Sequence, residues 1–276
     1  MSGITMKSST ADFSAAPLGF VNINPLPDDL PAGLGKLLLT RKSTAASSFD
    51  RQSGDPSVLQ TMKDGSGDIT FSATHLTVED TASGLIDTSF VNSYEDGFTI
   101  IGVMRFDQVG TDDAHIFSNT SWNNSTKEGW RVLANSEATG VNFRMQAEDG
   151  TGDATMTYTV HAPEDPAPDG WFLFAAIWNP AGGTLGSVTL AYPHSNRRYS
   201  NDLVAAAKAA LPDDVLAMLY DPWAASHGTD SHVSLAMMAY YPSVLTTVTT
   251  ATGGGQVEDF YSKIKPWLLA RDVTIL

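Results

Sequence analysis

The segment Trp171-Phe-Leu-Phe-Ala-Ala-Ile-Trp178 is the part of the sequence that decides the fold. Its side chains are apolar at both odd and even positions, which is typical of a strand buried on both faces in the middle of a sheet. The segment is much shorter than the ~18 apolar residues of a membrane-spanning helix, and no apolar run in the 276-residue chain approaches that length. We therefore expect a central strand here and no membrane insertion.

Strand-like segments recur on both sides of this central one, roughly every ten to twelve residues, with Gly-, Asn- and Asp-rich turns between them. In residues 141–146, Val141, Phe143 and Met145 alternate with polar residues, which predicts a strand with one buried face. The other segments are 69–78, 98–106, 115–118, 130–133, 155–160, 187–192 and 233–241. Many short strands at even spacing predict an all-β fold, a two-sheet sandwich or a barrel.

Helical patterns are few, and the large aromatic residues lie mostly in strands. We expect short helices at 203–210 and 256–264, the second broken or kinked at Pro266. We assign eight aromatic side chains to the core: Phe98, Phe106, Trp130, Phe143, Trp171, Phe172, Phe174 and Trp178.

Charge divides the chain at residue 68. Residues 1–68 carry six basic and seven acidic residues, whereas residues 69–276 carry ten and twenty-four. The first part has little aromatic content, so we expect an extended N-terminal arm at 1–68 and a globular domain at 69–276. The arm would dock on a neighbouring subunit of a homo-oligomer or remain a flexible tail, with only residues 34–39 able to pair as a strand or pack.

The order of the segments in residues 69–276 resembles the concanavalin A-like lectin/glucanase jelly roll of the laminin-G-like kind. The likeness covers about three quarters of the chain, and its motifs are hydrophobic patterns. They lie in segments 98–106, 116–119, 129–133, 170–178, 235–245 and 257–261. Such domains are similar to those of bacteriophage virion proteins. The resemblance implies an antiparallel jelly-roll sandwich in a virion surface protein, either capsid decoration or tail-associated, docked through its arm on other virion subunits.

The composition excludes several other classes of protein. The formal net charge of −15 argues against nucleic-acid binding, which needs Lys and Arg to neutralise phosphates. The chain has no cysteine, hence no disulfide and no thiolate zinc site. The first seventeen residues show no apolar core of a signal peptide, so we expect synthesis in a host cytoplasm without secretion.

No catalytic motif is present. Glycoside hydrolases of this fold place carboxylates at alternate positions of one strand, but the acidic pairs here are adjacent, as in Glu148-Asp149, and adjacent strand residues face opposite sides. His227, Asp230 and His232 would make a metal site only if their polar loop closed around an ion. We therefore expect a non-enzymatic protein. A glycan hydrolase or lyase whose carboxylates meet across strands is the second alternative.

Two aromatic loops are candidates for binding a host-surface glycan. Trp122 lies beside Asn123 and Asn124 in a polar loop, which suits an indole stacked on a sugar ring whose hydroxyls bond the amides. Tyr220 and Trp223 form the second loop. Either loop would alternatively close an end of the sandwich. A carbohydrate-binding receptor-attachment module is thus the first alternative function.

Calcium is the cofactor that the resemblance implies. Carboxylates are the side chains that Ca²⁺ prefers, and a solvated acidic face is the alternative interpretation. The candidates are Asp107, Asp112, Asp113, Asp149 and Asp153.

Overall fold

The computed structural model is an all-β structure of two antiparallel sheets with a helix packed on the outside. It describes residues 26–54, 59–63, 69–79, 83–87, 96–108, 114–118, 128–137, 140–149, 157–160, 170–183, 186–202, 216–219, 232–247 and 254–276. The statements below concern these residues.

Eight strands form the first sheet, in the order β13-β12-β11-β6-β15-β4-β3, with β1 also paired to β15. Their bounds are β1 Lys36–Leu39, β3 Ile69–Phe71, β4 Leu76–Glu79, β6 Phe98–Gln108, β11 Phe172–Asn179, β12 Ser187–Tyr192, β13 Arg197–Asp202 and β15 His232–Tyr241.

Seven strands form the second sheet, in the order β10-β9-β8-β7-β14-β5-β2. Their bounds are β2 Leu59–Lys63, β5 Ser83–Asp87, β7 Ala114–Ser118, β8 Glu128–Glu137, β9 Gly140–Asp149, β10 Thr157–Val160 and β14 Leu216–Met218. Two α-helices, α1 Thr44–Ser47 and α2 Gln256–Leu269, and a short 3-10 helix, Pro193–Ser195, complete the described elements.

The central strand predicted at 171–178 is confirmed as β11, which lies between β6 and β12. Residues from both sheets interlock in the space between them, and the aromatic rings meet there. The ring centroids of Phe98 and Trp130 are 4.7 Å apart, and those of Phe143 and Phe174 are 4.9 Å apart. This aromatic layer fixes the two sheets against each other.

Helix α2 covers the outer face of the eight-stranded sheet and makes a second apolar layer. Phe260, Ile264 and Leu268, spaced by four residues, are all fully buried, as the sequence predicts. They pack against outward-facing residues of the sheet such as Ile101 and Leu173. The eight-stranded sheet is therefore buried on both faces where α2 covers it, which explains why β11 and β15 are apolar at nearly every position.

Two local predictions differ from the structure. Helix α2 does not end at Pro266 but continues to Leu269, because the turn after the proline is buried against the sheet and the amide of Ala270 still bonds the Pro266 carbonyl oxygen. Residues 69–78 are not one strand but a hairpin, β3 and β4. The amide of Ser72 donates to the carbonyl of His75 at 2.8 Å and closes the turn.

The expected division at residue 68 also differs from the structure. Strand β1 pairs with β15 in the first sheet, and β2 pairs with β5 in the second. Leu37 and Leu38 are fully buried, one in each apolar layer. Residues 36–39 and 59–63 therefore belong to the sandwich, because their strands pair within the two sheets and Leu38 and Leu59 are buried in the layer between them. Of the arm expected at 1–68, residues 1–25, 55–58 and 64–68 lie outside the described residues.

No helix among the described residues is long and apolar enough to cross a membrane.

Candidate functional site

A row of side chains crosses the outer face of the eight-stranded sheet beyond the area that α2 covers. The strand register places Ser234 opposite Arg105 on one side and opposite Thr77 on the other. Strand β11 pairs with β6 through Phe172 and Met104, so the next pair along is Trp171 and Arg105. Four segments that are distant in sequence thus bring an indole, a guanidinium and two hydroxyls side by side.

Asp107 contacts two side chains of this row, Arg105 and Ser234. Its Oδ1 lies 2.6 Å from Arg105 Nε, and its Oδ2 accepts a hydrogen bond of 2.6 Å from Ser234 Oγ. The Nε–H of Arg105 does not meet hydrogen-bond geometry, so that contact is an ion pair. The two charged side chains are 33 % and 31 % exposed, so their attraction contributes less than about 1 kcal/mol to stability. Both can reach a ligand in solvent.

Trp171 is half-buried and contacts charged and aromatic neighbours. The Arg105 Cζ atom lies 5.0 Å from the centre of its ring, within cation–π distance. The His75 ring meets it edge-on, with centroids 5.1 Å apart. The core position predicted for Trp171 is therefore only partly correct, because its strand face points outward past the end of α2.

His75 is held by the turn between β3 and β4. Its Nδ1 atom is 2.9 Å from Ser72 Oγ and 2.8 Å from Thr74 Oγ1. Burial lowers the pKa of the imidazole below its ordinary value, the positive charge of Arg105 lowers it further, and Asp107 acts in the opposite direction. His75 is thus held neutral near pH 7, when it offers both a donor and an acceptor.

We call these residues the Trp171 surface: Trp171, Arg105, Asp107, His75 and Thr77, together with Ser234, which is itself fully buried and donates to Asp107. The surface presents donors, acceptors and one aromatic ring, which suits hydrogen bonding to a polar ligand. Among the described residues, Asp107 bonds Ser234 and Arg105 and makes no contact with the His75 ring, so this surface does not form a Ser–His–Asp arrangement.

The residues predicted for glycan binding lie outside the described residues, and so do most of those predicted for calcium. The former are Trp122, Asn123, Asn124, Tyr220 and Trp223. Of the calcium candidates, Asp112, Asp113 and Asp153 also lie outside, and Asp149 is described only by its backbone at the end of β9. No group of three or more metal-binding side chains occurs in the described part of the chain. A calcium site and the two aromatic loops remain predictions.

Sequence reasoning missed most of the Trp171 surface. It named Asp107 for calcium and Trp171 for the core, and gave no role to Arg105 or Ser234. The available signal was the change from apolar to charged residues at Arg105 and Asp107, two alternate positions at the end of a long apolar strand. Alternation places these two on the same face.

The sequence matches no protein-family model and no curated protein. Among solved structures, the binding domain of botulinum neurotoxin serotype D/C is similar, with a TM-score of 0.53 and 10% identity over 87% of this chain and 52% of that chain. The binding domain of botulinum neurotoxin DC, solved in complex with SialylT, has a TM-score of 0.51 and 10% identity over 77% of this chain and 49% of that chain. The chain spans about half the length of these domains, and the likeness shows a shared all-β fold.

Proposed function

We propose that the protein is a non-enzymatic carbohydrate-binding module and that the Trp171 surface contacts the saccharide. The observation that carries the proposal is Trp171, half-buried at the edge of the helix-covered layer, with Arg105 beside its ring and Asp107 paired with Arg105. Aromatic rings next to fixed polar groups are the usual elements of a site that binds an amphipathic ligand.

The polar groups of this surface fit the hydroxyls of a sugar. Asp107 has two contacts within the protein and is partly exposed, so its remaining lone pairs can accept from sugar hydroxyls. Arg105 offers its terminal N–H groups, and neutral His75 can donate or accept. Because Ser234 and the ion pair already hold the carboxylate, binding requires little ordering of side chains.

The solved structures support this proposal at the level of fold and general role. Both are described as binding domains, and one was solved with SialylT. Binding rather than catalysis is therefore the function that we extend to this chain, while the ligand is argued from the Trp171 surface alone.

The setting in which the module acts is proposed from the sequence. The laminin-G-like jelly-roll resemblance favours a virion surface protein. Of the docking arm expected at 1–68, residues 1–25 are the part left to contact neighbouring subunits of a homo-oligomer, since strands β1 and β2 belong to the sandwich. Trp122 and Trp223 would then add contacts to the same or a second saccharide.

A glycan array tests the proposal. We expect the wild-type protein to bind a defined set of saccharides, and Trp171→Ala and Asp107→Asn to weaken that binding at least about tenfold, the loss of about 1.4 kcal/mol. Trp122→Ala and Trp223→Ala serve as comparison variants on the predicted loops, and circular dichroism verifies folding.

Two results would count against the proposed function. An array without signal for the wild-type protein refutes carbohydrate binding. Binding that is unchanged in Trp171→Ala and Asp107→Asn but lost in Trp122→Ala or Trp223→Ala moves the site from the Trp171 surface to the loops.

A further inference from the structure

Three half-buried arginines come from three separate segments of a chain whose formal net charge is −15. Arg41 follows β1, Arg51 follows the short segment after α1, and Arg271 follows the end of α2. We call them the arginine cluster. Like charges close together repel one another unless a negative group neutralises them. The groups that surround each of the three guanidinium groups therefore decide whether the cluster is neutralised.

Strand geometry puts Arg41 and Arg51 on the side of the sheet that α2 covers. Leu37 and Leu39 belong to the helix-side apolar layer, and Arg41 is the next residue in that alternation. The amide of Arg51 donates to the carbonyl of Leu37 at 2.8 Å, next to the bridge between Leu38 and Asp50. Opposite residues of an antiparallel pair face the same side, so Arg51 points the same way as Leu37.

Aromatic rings hold two of the guanidinium groups in place. The Arg51 Cζ atom lies 4.6 Å from the Phe49 ring centre, and the Arg271 Cζ atom lies 3.5 Å from that of Trp267. Arg271 Nη1 also donates to the Trp267 carbonyl at 2.7 Å, at the negative end of the α2 dipole. A stacked guanidinium is ordered before any ligand arrives, which lowers the entropy lost on binding.

The charges of the cluster act on one another. Burial lowers the pKa of Arg41 and of Arg51, and the charge of Arg41 lowers that of Arg51 further. The pKa of Arg271 falls to about 10, first through burial and then through the charges of Arg41 and Arg51. All three remain protonated at pH 7, so the cluster keeps three positive charges in a partly desolvated place.

The described carboxylates do not neutralise Arg41 and Arg51. Asp50 is adjacent, but its Oδ1 accepts the amides of Leu37 and Gln52 and its Oδ2 accepts Ser53 Oγ. Within the described part of the chain, neither Arg41 nor Arg51 forms an ion pair, and the buried Nε of Arg51 has no hydrogen-bond partner. A buried donor without a partner is unfavourable and is satisfied by an acceptor that enters the site.

We propose that Arg41, Arg51 and Arg271 form a site for an oxyanion, and that its ligand is the carboxylate or sulfate of an acidic saccharide. The saccharide part of this inference rests on the proposed function. Guanidinium groups suit such ligands, since their planar N–H pairs match the two oxygens of a carboxylate or sulfate.

Two backbone contacts link the arginine cluster to the Trp171 surface. The amide of Lys42, next to Arg41, donates to the Ser72 carbonyl at 2.7 Å, and Ser72 holds His75. On the other side, Ile275 bridges Trp171, four residues after Arg271. One saccharide can therefore place a neutral ring at Trp171 and its acidic group at the arginines.

The contrasting interpretation is that the arginines only brace α1 and the end of α2. Calorimetric titration of the full chain with sialyllactose, sulfated lactose and neutral lactose separates the two. The variants are Arg41→Gln and Arg51→Gln, with Arg271→Lys as a charge-conserving variant. Arg198→Gln is the matched control, because Arg198 is exposed on β13 at the far edge of the same sheet.

We expect the acidic saccharides to bind at least about tenfold more tightly than lactose, a difference of about 1.4 kcal/mol. Arg41→Gln and Arg51→Gln should each abolish most of that preference, Arg271→Lys should retain part of it, and Arg198→Gln should retain all. Added NaCl should weaken only the acidic saccharides. Thermal unfolding of each variant verifies that it folds.

The alternatives give distinct results. Equal binding of lactose and the acidic saccharides overturns the inference while carbohydrate binding stands. A preference that Arg41→Gln and Arg51→Gln leave intact overturns it as well. If no saccharide binds but inorganic sulfate raises the unfolding temperature of the wild type and not of Arg51→Gln, the oxyanion site stands and the proposed function fails.

Discussion

Ser234→Ala removes a single oxygen atom from the Trp171 surface. Ser234 is fully buried, and its Oγ donates to Asp107 Oδ2 at 2.6 Å. The same Oγ lies 2.7 Å from Thr77 Oγ1. Since the Ser234 proton is directed to the carboxylate, Thr77 is the donor in the second contact. The variant therefore breaks a chain of two hydrogen bonds that ends on a charge.

The expected loss follows from these contacts. A hydrogen bond to a charged group contributes about 1.5–3 kcal/mol to stability. In the variant, water can bond the partly exposed carboxylate and recover part of this free energy. We therefore expect a loss of about 2 kcal/mol in the free energy of unfolding. An unfolding entropy of about 2.1 cal/mol/K per residue gives about 0.6 kcal/mol/K for 276 residues. The unfolding temperature should then fall by about 3 °C.

Ser200→Ala is the matched control. Its Oγ also pairs with a threonine across two strands, 2.9 Å from Thr189 Oγ1, but it is exposed at the edge and its pair is neutral. We expect a loss of less than about 0.5 kcal/mol there. Scanning calorimetry compares the two variants, and titration with the saccharide from the array should show weaker binding for Ser234→Ala alone. Equal unfolding temperatures for the two variants would refute the reasoning, since the buried contact to Asp107 would then contribute nothing.

Three further predictions follow from other parts of the molecule. Gly102→Ala should lower the stability by about 1–3 kcal/mol, because its Cβ would lie 2.5 Å from Phe174 Cε1 in the tightly packed layer between the sheets; an unchanged denaturation midpoint would contradict this. His75 has a lowered pKa, so the unfolded chain binds its proton more readily. Stability should therefore fall as the pH drops through 6.5 and level off below the folded pKa. His75→Asn should flatten that part of the profile, and an identical profile in the variant would exclude His75 as its source. Light scattering should find an oligomer for the full chain and a monomer after deletion of residues 1–25, whereas an oligomer in both would show that the sandwich itself associates.

Much of the fold was predictable because its signals are local. The alternation in residues 141–146 and the continuous apolar run at 171–178 are local signals for strands, and both strands are confirmed, as β9 and β11. The single buried face predicted for 141–146 is only partly correct, because Gln146 is buried as well as Phe143 and Met145, and its Oε1 accepts a hydrogen bond from Arg131 Nε. The spacing of Phe260, Ile264 and Leu268 likewise identifies the buried stripe of α2. Where the local signal is weak the prediction is incomplete: strands β2, β5, β13 and β14 are not predicted, and neither is the turn at Ser72 inside 69–78.

The sequence by itself determined the all-β class, the buried central strand and the absence of a cysteine framework, because each depends on composition or on neighbours within a few residues. Only the tertiary structure decided which residues meet on the surface. The register of β4, β15, β6 and β11 alone aligns Thr77, Ser234, Arg105 and Trp171 in one row. The arginine cluster likewise joins three separate segments. Register is set by packing between distant parts of the chain, and no local pattern encodes it.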